Sequence, residues 1–183
     1  MKRILQISIA MGLLVLLTNY GCATRPTEQI DRAEMAMNQA KEQRAEEFSP
    51  TEWRNGMTAW ESAQEALDEK RYSEASTYLL KATGQFGKAR DLAKGKRDEL
   101  LREIQGLQKT IDIRYQSLKA AAAAARLAPK AKKELEASFS DIEQAIVKLK
   151  SQIEQGDYTP AKYTAQTTLR KVYEAEQTLP PGR

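Results

Sequence analysis

The chain has 183 residues, a formal net charge of +4 and no histidine. So small a charge excess does not indicate a polyanionic partner, and we expect no nucleic-acid binding. The missing histidine removes the commonest general base and metal ligand. Glycine and proline are scarce, with nine and six residues, while alanine, glutamate, glutamine, lysine and leucine are abundant. This composition predicts an all-α body the size of one domain.

The first 21 residues have the pattern of an export signal. Lys2 and Arg3 precede an apolar run of 14 residues, from 4 to 17. A helix that spans a bilayer needs about 20 apolar residues, whereas this run has the length of a signal-peptide h-region. Because the chain turns polar after Gly21 with no stop-transfer pattern, we expect residues 1–21 to be removed.

Cys22 is the only cysteine of the chain and follows this segment directly. The closing residues, from Thr18, resemble the end of a bacterial lipoprotein signal. Gly21 fits the small position of that signal, whereas Asn19 and Tyr20 depart from the usual pattern. The resemblance implies cleavage between Gly21 and Cys22, a diacylglyceryl group on the thiol and an acyl group on the freed amine. Two or more acyl chains hold a protein stably on a membrane.

The residue after the cysteine is Ala23. In lipoproteins of this kind an aspartate there favours retention in the inner membrane, so the resemblance implies export to the outer membrane, facing the periplasm. Residues 22–27 would then form a lipidated tether, and we expect no cofactor beyond the covalent lipid groups on Cys22. An ordinary signal cleaved nearby and an uncleaved anchor remain the alternatives.

Apolar residues at helical spacing predict two helices in the first half of the body. The first is expected from about Thr27 to Glu47. The second begins at residues 49–52, Ser-Pro-Thr-Glu, which form a capping-box pattern with proline at the first helical position, and ends near Lys70. The predicted apolar stripes are Ile30, Ala33, Met37 and Ala40, then Trp53, Met57, Trp60 and Leu67.

A long third helix is expected from Ser73 to Leu127, because no proline interrupts this stretch. Its apolar stripe is broken by the polar residues 94–98. We therefore expect the helix to bend or shift register near Gly95, with a true break as the alternative. The predicted stripe is Ala75, Leu79, Ala82, Phe86, Ala89 and Ala93, then Leu100, Ile104, Leu107, Ile111 and Leu118.

Two further helices are predicted after Pro129, which starts the fourth. Gly156 is expected to end that helix as its C′ residue. Thr159 and Pro160 start the fifth, and a proline pair ends it before the tail at 180–183. The predicted stripes are Leu135, Phe139, Ile142, Ile146, Leu149 and Ile153, then Ala161, Ala165, Thr168, Val172, Ala175 and Leu179.

The two halves of the body share a pattern. Residues 45–50, Ala-Glu-Glu-Phe-Ser-Pro, match residues 124–129, and Tyr72 matches Tyr158. The intervals between proline and tyrosine differ by seven residues, about two helical turns. This predicts an elongated antiparallel bundle of about five helices, in which two related hairpins, at about 28–94 and 98–179, share the long helix. Two unrelated amphipathic hairpins remain the alternative.

Residues 28 to about 94 resemble an uncharacterised helical domain of Gram-negative envelope lipoproteins. The resemblance rests on Ala45-x-x-Phe48-Ser49-Pro50 and on the tyrosine and alanine at 72 and 75. That domain pairs its helices as tetratricopeptide repeats do, and it has no assigned catalytic residues. The resemblance implies a binding module and not an enzyme.

The candidate partner surface consists of Trp53, Trp60, Tyr72 and Tyr158, although their spacing also fits helix packing. Basic clusters stand at 94–97 and 130–133; their default role is a solvated face. We find no triad, metal cluster or phosphate loop in the sequence, so an enzyme is not expected. The leading hypothesis is a lipid-anchored adaptor for an envelope protein. The alternatives are a spacer or self-associating coiled-coil bundle, and a lipid or glycan binder.

Overall fold

The computed structural model describes residues 24–179. Among these residues the chain forms helices only, which we number α1 to α6 in chain order. Their bounds are Thr27–Glu42, Ala45–Phe48, Pro50–Asp68, Tyr72–Ala124, Pro129–Glu154 and Tyr158–Gln177. The all-α helical bundle predicted from the sequence is confirmed. The export signal, Cys22 and the tail from residue 180 lie outside the described residues.

The helices divide into two units at the step from Ala93 to Lys94. Helices α1, α2 and α3 belong to the first unit with the early part of α4, and α5 and α6 belong to the second with the rest of α4. None of the helices within residues 24–179 combines the length and the apolar character needed to cross a membrane. Helix α4 thus supplies residues to the core of each unit.

The first helix is shorter than the sequence predicts. Arg44 adopts a left-handed conformation with φ of 55°, and its N–H donates to the Lys41 carbonyl at 2.8 Å. A left-handed residue cannot continue an α-helix, so α1 ends at Glu42 and the chain restarts as α2. The restart buries Ala45 and Phe48. The prediction of one helix to Glu47 was therefore wrong, and α2 is the helix beyond the five expected.

Helix α3 begins where its capping pattern predicts, but the bonding differs. Ser49 is the N-cap and Pro50 the first helical residue, and the Trp53 N–H donates to the Ser49 carbonyl at 3.0 Å. The Ser49 side chain makes no cap hydrogen bond to the backbone. Its Oγ instead donates to Oε2 of Glu52 at 2.7 Å. This bond satisfies a hydroxyl that is fully buried.

Helices α3 and α5 end in the same hydrogen-bond pattern. Lys70 has φ of 59° and donates to the Leu67 carbonyl, while Arg71 donates to the Ala66 carbonyl at 2.8 Å. In α5 the corresponding bonds run from Gly156 to the carbonyl of residue 153 and from residue 157 to that of residue 152. Both ends are Schellman motifs with a left-handed C′ residue. The predicted role of Gly156 as C′ is confirmed.

Helix α4 runs without interruption through Gly95, so the alternative of a true break there was wrong. A glycine in a helix interior costs only about 1 kcal/mol relative to alanine. The packing of the α4 segments before and after Gly95 outweighs this cost. Helix α6 starts at Tyr158 with Asp157 as its N-cap, slightly before the predicted Thr159.

The core of the first unit is rich in alanine. The predicted α4 stripe is buried in full, from Ala75 to Ala93. The buried face of α3 contains smaller side chains than predicted. Met57 and Trp60 are only half-buried, and glycine and alanine occupy the centre of the face instead. Its buried residues are Trp53, Gly56, Ala59, Ala63, Ala66 and Leu67. Short side chains of this kind let helix backbones approach closely.

The core of the second unit contains larger aliphatic side chains from three helices. Buried residues of the predicted stripes include Ile104, Ile111 and Leu118 of α4, with Leu135, Ile142 and Leu149 of α5 and Ala161, Ala165 and Val172 of α6. Thr168 is also fully buried, and its Oγ1 donates to the Thr164 carbonyl at 2.7 Å. The predicted α6 stripe is thus buried from Ala161 to Ala175, whereas the α5 stripe alternates between buried residues and half-buried ones that pack against them. The half-buried members are Phe139, Ile146 and Ile153, with Leu179 at the end of the α6 stripe.

Candidate functional site

The tryptophans of the candidate partner surface differ in exposure. Trp53 is 8% exposed, and its ring centre lies 5.2 Å from that of Phe86 at an angle of 51°. Trp60, two helical turns further along α3, is half-buried. The indole of Trp53 thus serves the core of the first unit, while part of the Trp60 side chain reaches solvent.

The two tyrosines of that surface pack beside helix ends. Tyr72 is half-buried against the cluster formed by Ala66, Leu67 and Ala75 in the first unit. Tyr158 packs against the core of the second unit, and the Arg97 guanidinium lies 5.6 Å from its ring centre. Each tyrosine follows a Schellman motif by two residues, which places it at the same point of its own unit.

Gly21 and Cys22, the predicted cleavage and lipid attachment residues, lie outside the described part of the chain. The two basic clusters lie on helices of the second unit. Lys130 and Lys132 face Glu134 and Glu136 one turn further along α5, at 3.9 and 4.0 Å. These exposed pairs contribute at most about 0.5 kcal/mol each.

The most exposed aromatic side chain of the second unit is Tyr163, at 72%. It lines a groove of about 440 Å³ beside α5 and α6. Asp141 and Lys171 lie in the same groove, with Oδ2 and Nζ 3.7 Å apart. Lys148 adds a further cation. The groove therefore combines an uncovered aromatic ring with charges of both signs.

A larger cavity, which we call the α4–α5 cavity, lies where α4 gives way to α5. Its volume is about 530 Å³. The apolar part of its wall includes Ala122, Leu127, Leu135 and Phe139. Alanines at the end of α4 are too short to fill the space opposite the larger residues of α5. Since several of its lining residues, such as Arg126 and Glu136, are exposed, the cavity is a cleft open to solvent and not an interior void.

Three cations and one carboxylate line the same cavity, namely Lys119, Arg126, Lys132 and Glu136. The Lys119 ammonium lies 4.6 Å from the centre of the Tyr115 ring. Within residues 24–179, no carboxylate forms an ion pair with Lys119 or Arg126. The wall is therefore positively charged beside an apolar surface.

Tyr115, a buried core residue, packs behind the wall of this cavity. Its ring meets that of Phe139 edge-on, with centres 5.7 Å apart and planes at 78°. Its hydroxyl donates to Oε1 of Glu143 at 2.7 Å. Burial, and then the hydrogen bond to Glu143, raise the pKa of Tyr115 above its ordinary value. The upward shift extends the pH range over which the phenol stays protonated and donates this bond, beyond that of an ordinary tyrosine.

Sequence reasoning missed the cavity and the groove. Tyr163 gave no distinct signal, although it stands off the Ala161–Ala165–Thr168 stripe, which by itself indicates exposure. Phe139 was correctly assigned to the apolar stripe but not to a cavity wall. Lys119 in the last turns of α4 and Arg126, two residues beyond its end, were the available signal for a cationic edge.

No group of three or more His, Cys, Asp or Glu side chains within residues 24–179 is placed to hold a metal ion. Comparison with protein-family models, with curated proteins and with solved structures found no match for this chain.

Proposed function

We propose that this protein is a lipid-anchored adaptor of the Gram-negative cell envelope. The acylated Cys22 would hold it on the outer membrane, facing the periplasm, and the helical body would bind another envelope protein. Support for the anchor comes from the lone cysteine after an export signal. Support for the adaptor comes from the resemblance of its first half to a tetratricopeptide-like lipoprotein domain.

The observation that carries the binding role is the exposure of Tyr163 in its groove. Tyrosine is enriched at protein interfaces because its large ring contributes apolar area and its hydroxyl contributes a hydrogen bond. Here the residue is 72% exposed. Asp141, Lys148 and Lys171 give the groove a charged rim, which suits a polar segment of a folded or extended partner.

Site-specific photo-crosslinking in living cells tests this proposal. A photoreactive phenylalanine derivative replaces Tyr163 or, in parallel, Thr167 of the same groove. We expect one discrete adduct with an envelope protein from both positions. Gln166 is the control, because it is exposed on the same helix but does not line the groove, and we expect little adduct there.

The same experiment separates the alternatives. An adduct with the mass of two copies of this chain would support the self-associating coiled-coil bundle instead. Absence of any specific adduct at Tyr163 and Thr167 would overturn the adaptor and leave the spacer role.

Cys22→Ser tests the anchor separately. We expect the variant to leave the membrane fraction and to lose incorporation of labelled palmitate, because the acyl chains supply the membrane affinity. A Ser73→Ala variant, changed at an exposed residue of α4, is the matched control and keeps both properties. Membrane association of Cys22→Ser equal to that of the wild type would refute the lipid anchor.

A further inference from the structure

The α4–α5 cavity has the size of a small-molecule site. Pockets that enclose such ligands measure roughly 300–1,000 Å³, and this cavity measures about 530 Å³. It shares no lining residue with the groove that contains Tyr163. The adaptor role therefore does not account for it.

The apolar side of the cavity is held in place. Leu135 is buried in the core of the second unit, and Phe139 is packed edge-on against Tyr115. Because the Tyr115 hydroxyl is bonded to Glu143 in turn, the Phe139 ring has a fixed support behind it. A fixed apolar wall binds a hydrocarbon chain without first paying the entropy of ordering its own side chains.

The charged side of the cavity favours a ligand with a negative charge. Lys119 and Arg126 have no carboxylate partner within residues 24–179, and Lys132 is 4.0 Å from its acidic neighbour Glu136. The Lys119 ammonium rests over the Tyr115 ring at 4.6 Å, so it lies next to the apolar wall. Cations beside an apolar wall match a molecule with an anionic head and a hydrocarbon tail.

We propose that the α4–α5 cavity binds a single-chain anionic amphiphile, such as a fatty acid or an alkyl phosphate. Its tail contacts Leu127, Leu135 and Phe139, and its carboxylate or phosphate head pairs with Lys119 and Arg126. Arginine forms paired hydrogen bonds with either head group, while lysine acts as a point charge. The volume accommodates one chain of medium length.

Photoaffinity labelling of the full chain in phosphatidylcholine vesicles tests this site. The probe is decyl phosphate with a diazirine in its alkyl chain. We expect saturable labelling in the peptides that contain Leu127 and Phe139. Unlabelled decyl phosphate and decanoate compete, whereas decyltrimethylammonium does not. Octyl phosphate competes less well than decyl phosphate, by roughly fourfold for each methylene removed.

Variants separate the charge from the apolar wall. Lys119→Gln and Arg126→Gln each weaken labelling by about tenfold or more, since each removes a charge-assisted contact. Ala122→Phe fills the cavity and abolishes labelling without a change of charge. Lys130→Gln and Lys133→Gln are the matched controls, because both are exposed lysines of α5 that do not line the cavity, and they label as the wild type does.

Circular dichroism of each variant confirms that it remains helical. Equal competition by decyltrimethylammonium, or unchanged labelling of Lys119→Gln and Arg126→Gln, would overturn the proposal. Labelling spread evenly along the chain would overturn it too, because it would show partition of the probe into the vesicles only. None of these outcomes depends on the adaptor role, which the crosslinks at Tyr163 test separately.

Discussion

Lys70 and Gly156 adopt the same left-handed backbone conformation, with φ of 59° and 73°, at the C′ positions of α3 and α5. Each is followed two residues later by the tyrosine that begins the next helix, Tyr72 or Tyr158. The sequence repeat aligns these two turns, and the structure gives them the same hydrogen bonds. Glycine, the residue best suited to this conformation, is present at position 156, whereas position 70 has a lysine.

Lys70→Gly should therefore stabilise the protein. A left-handed conformation costs a residue with a β-carbon roughly 1–2 kcal/mol, and the greater freedom of glycine in the unfolded chain returns about half of that. We expect a gain of about 0.5–1 kcal/mol in the free energy of unfolding, measured by urea titration. Gly156→Ala is the reverse exchange and, with the same two contributions, should lose about 0.5–1 kcal/mol. Its new methyl group would have space, as Arg97 lies 4.0 Å away, so only the backbone opposes it.

Gly56→Ala should destabilise the first unit. A β-carbon at position 56 would stand 2.6 Å from two atoms of the Phe86 ring, which is itself fully buried beside Trp53. Overpacking of this kind costs typically about 1–3 kcal/mol. Gly84→Ala in α4 is the control, because nothing lies within 4 Å of its added methyl. There the higher helix propensity of alanine should add up to about 1 kcal/mol, and equal melting temperatures for the two variants would contradict the packing of Phe86.

The two tryptophans should differ in quenching by acrylamide. Trp60→Phe leaves Trp53 as the only emitter, and we expect blue-shifted emission that resists quenching, because this indole is 8% exposed. Trp53→Phe leaves the half-buried Trp60, whose emission should shift to the red and quench more steeply. Similar quenching constants for the two variants would place Trp53 outside the core.

Tyr115 should make stability depend on alkaline pH. The raised pKa of Tyr115 means that the folded protein holds the phenolic proton more tightly than the unfolded chain does. Its contribution is thus complete below the unfolded pKa of about 10 and is lost as the pH rises toward the folded pKa. The difference in unfolding free energy between wild type and Tyr115→Phe should shrink above about pH 10. Trp60→Phe, which removes a half-buried ring that carries no titratable group, is the control and should differ from the wild type by the same amount at each pH.

Periodicity predicted the core of this protein well because helical spacing and burial have the same cause. The stripe from Ala75 to Ala93 is buried, and the buried apolar residues of α5 and α6 fall within the predicted stripes. The stop of α1 was not predictable in this way, since Arg44 has no intrinsic preference for a left-handed turn. The α4–α5 cavity was not predicted for a related reason. A cavity depends on which short side chains face which long ones across two helices, and periodicity within one helix does not give that pairing.

The first unit has a core rich in alanine, whereas the core of the second contains larger aliphatic residues. This difference affects how many substitutions each core tolerates. Alanine loses no side-chain entropy on folding. The buried alanines of the first unit stabilise it by allowing close contact between helix backbones. Exchange of a buried alanine for any larger residue moves a whole helix, whereas exchanges among Ile, Leu and Val in the second unit are absorbed by rotation of neighbouring side chains. Random mutagenesis should accordingly find few tolerated replacements at Ala63, Ala82 and Ala89, and many at Ile104, Ile142 and Leu149.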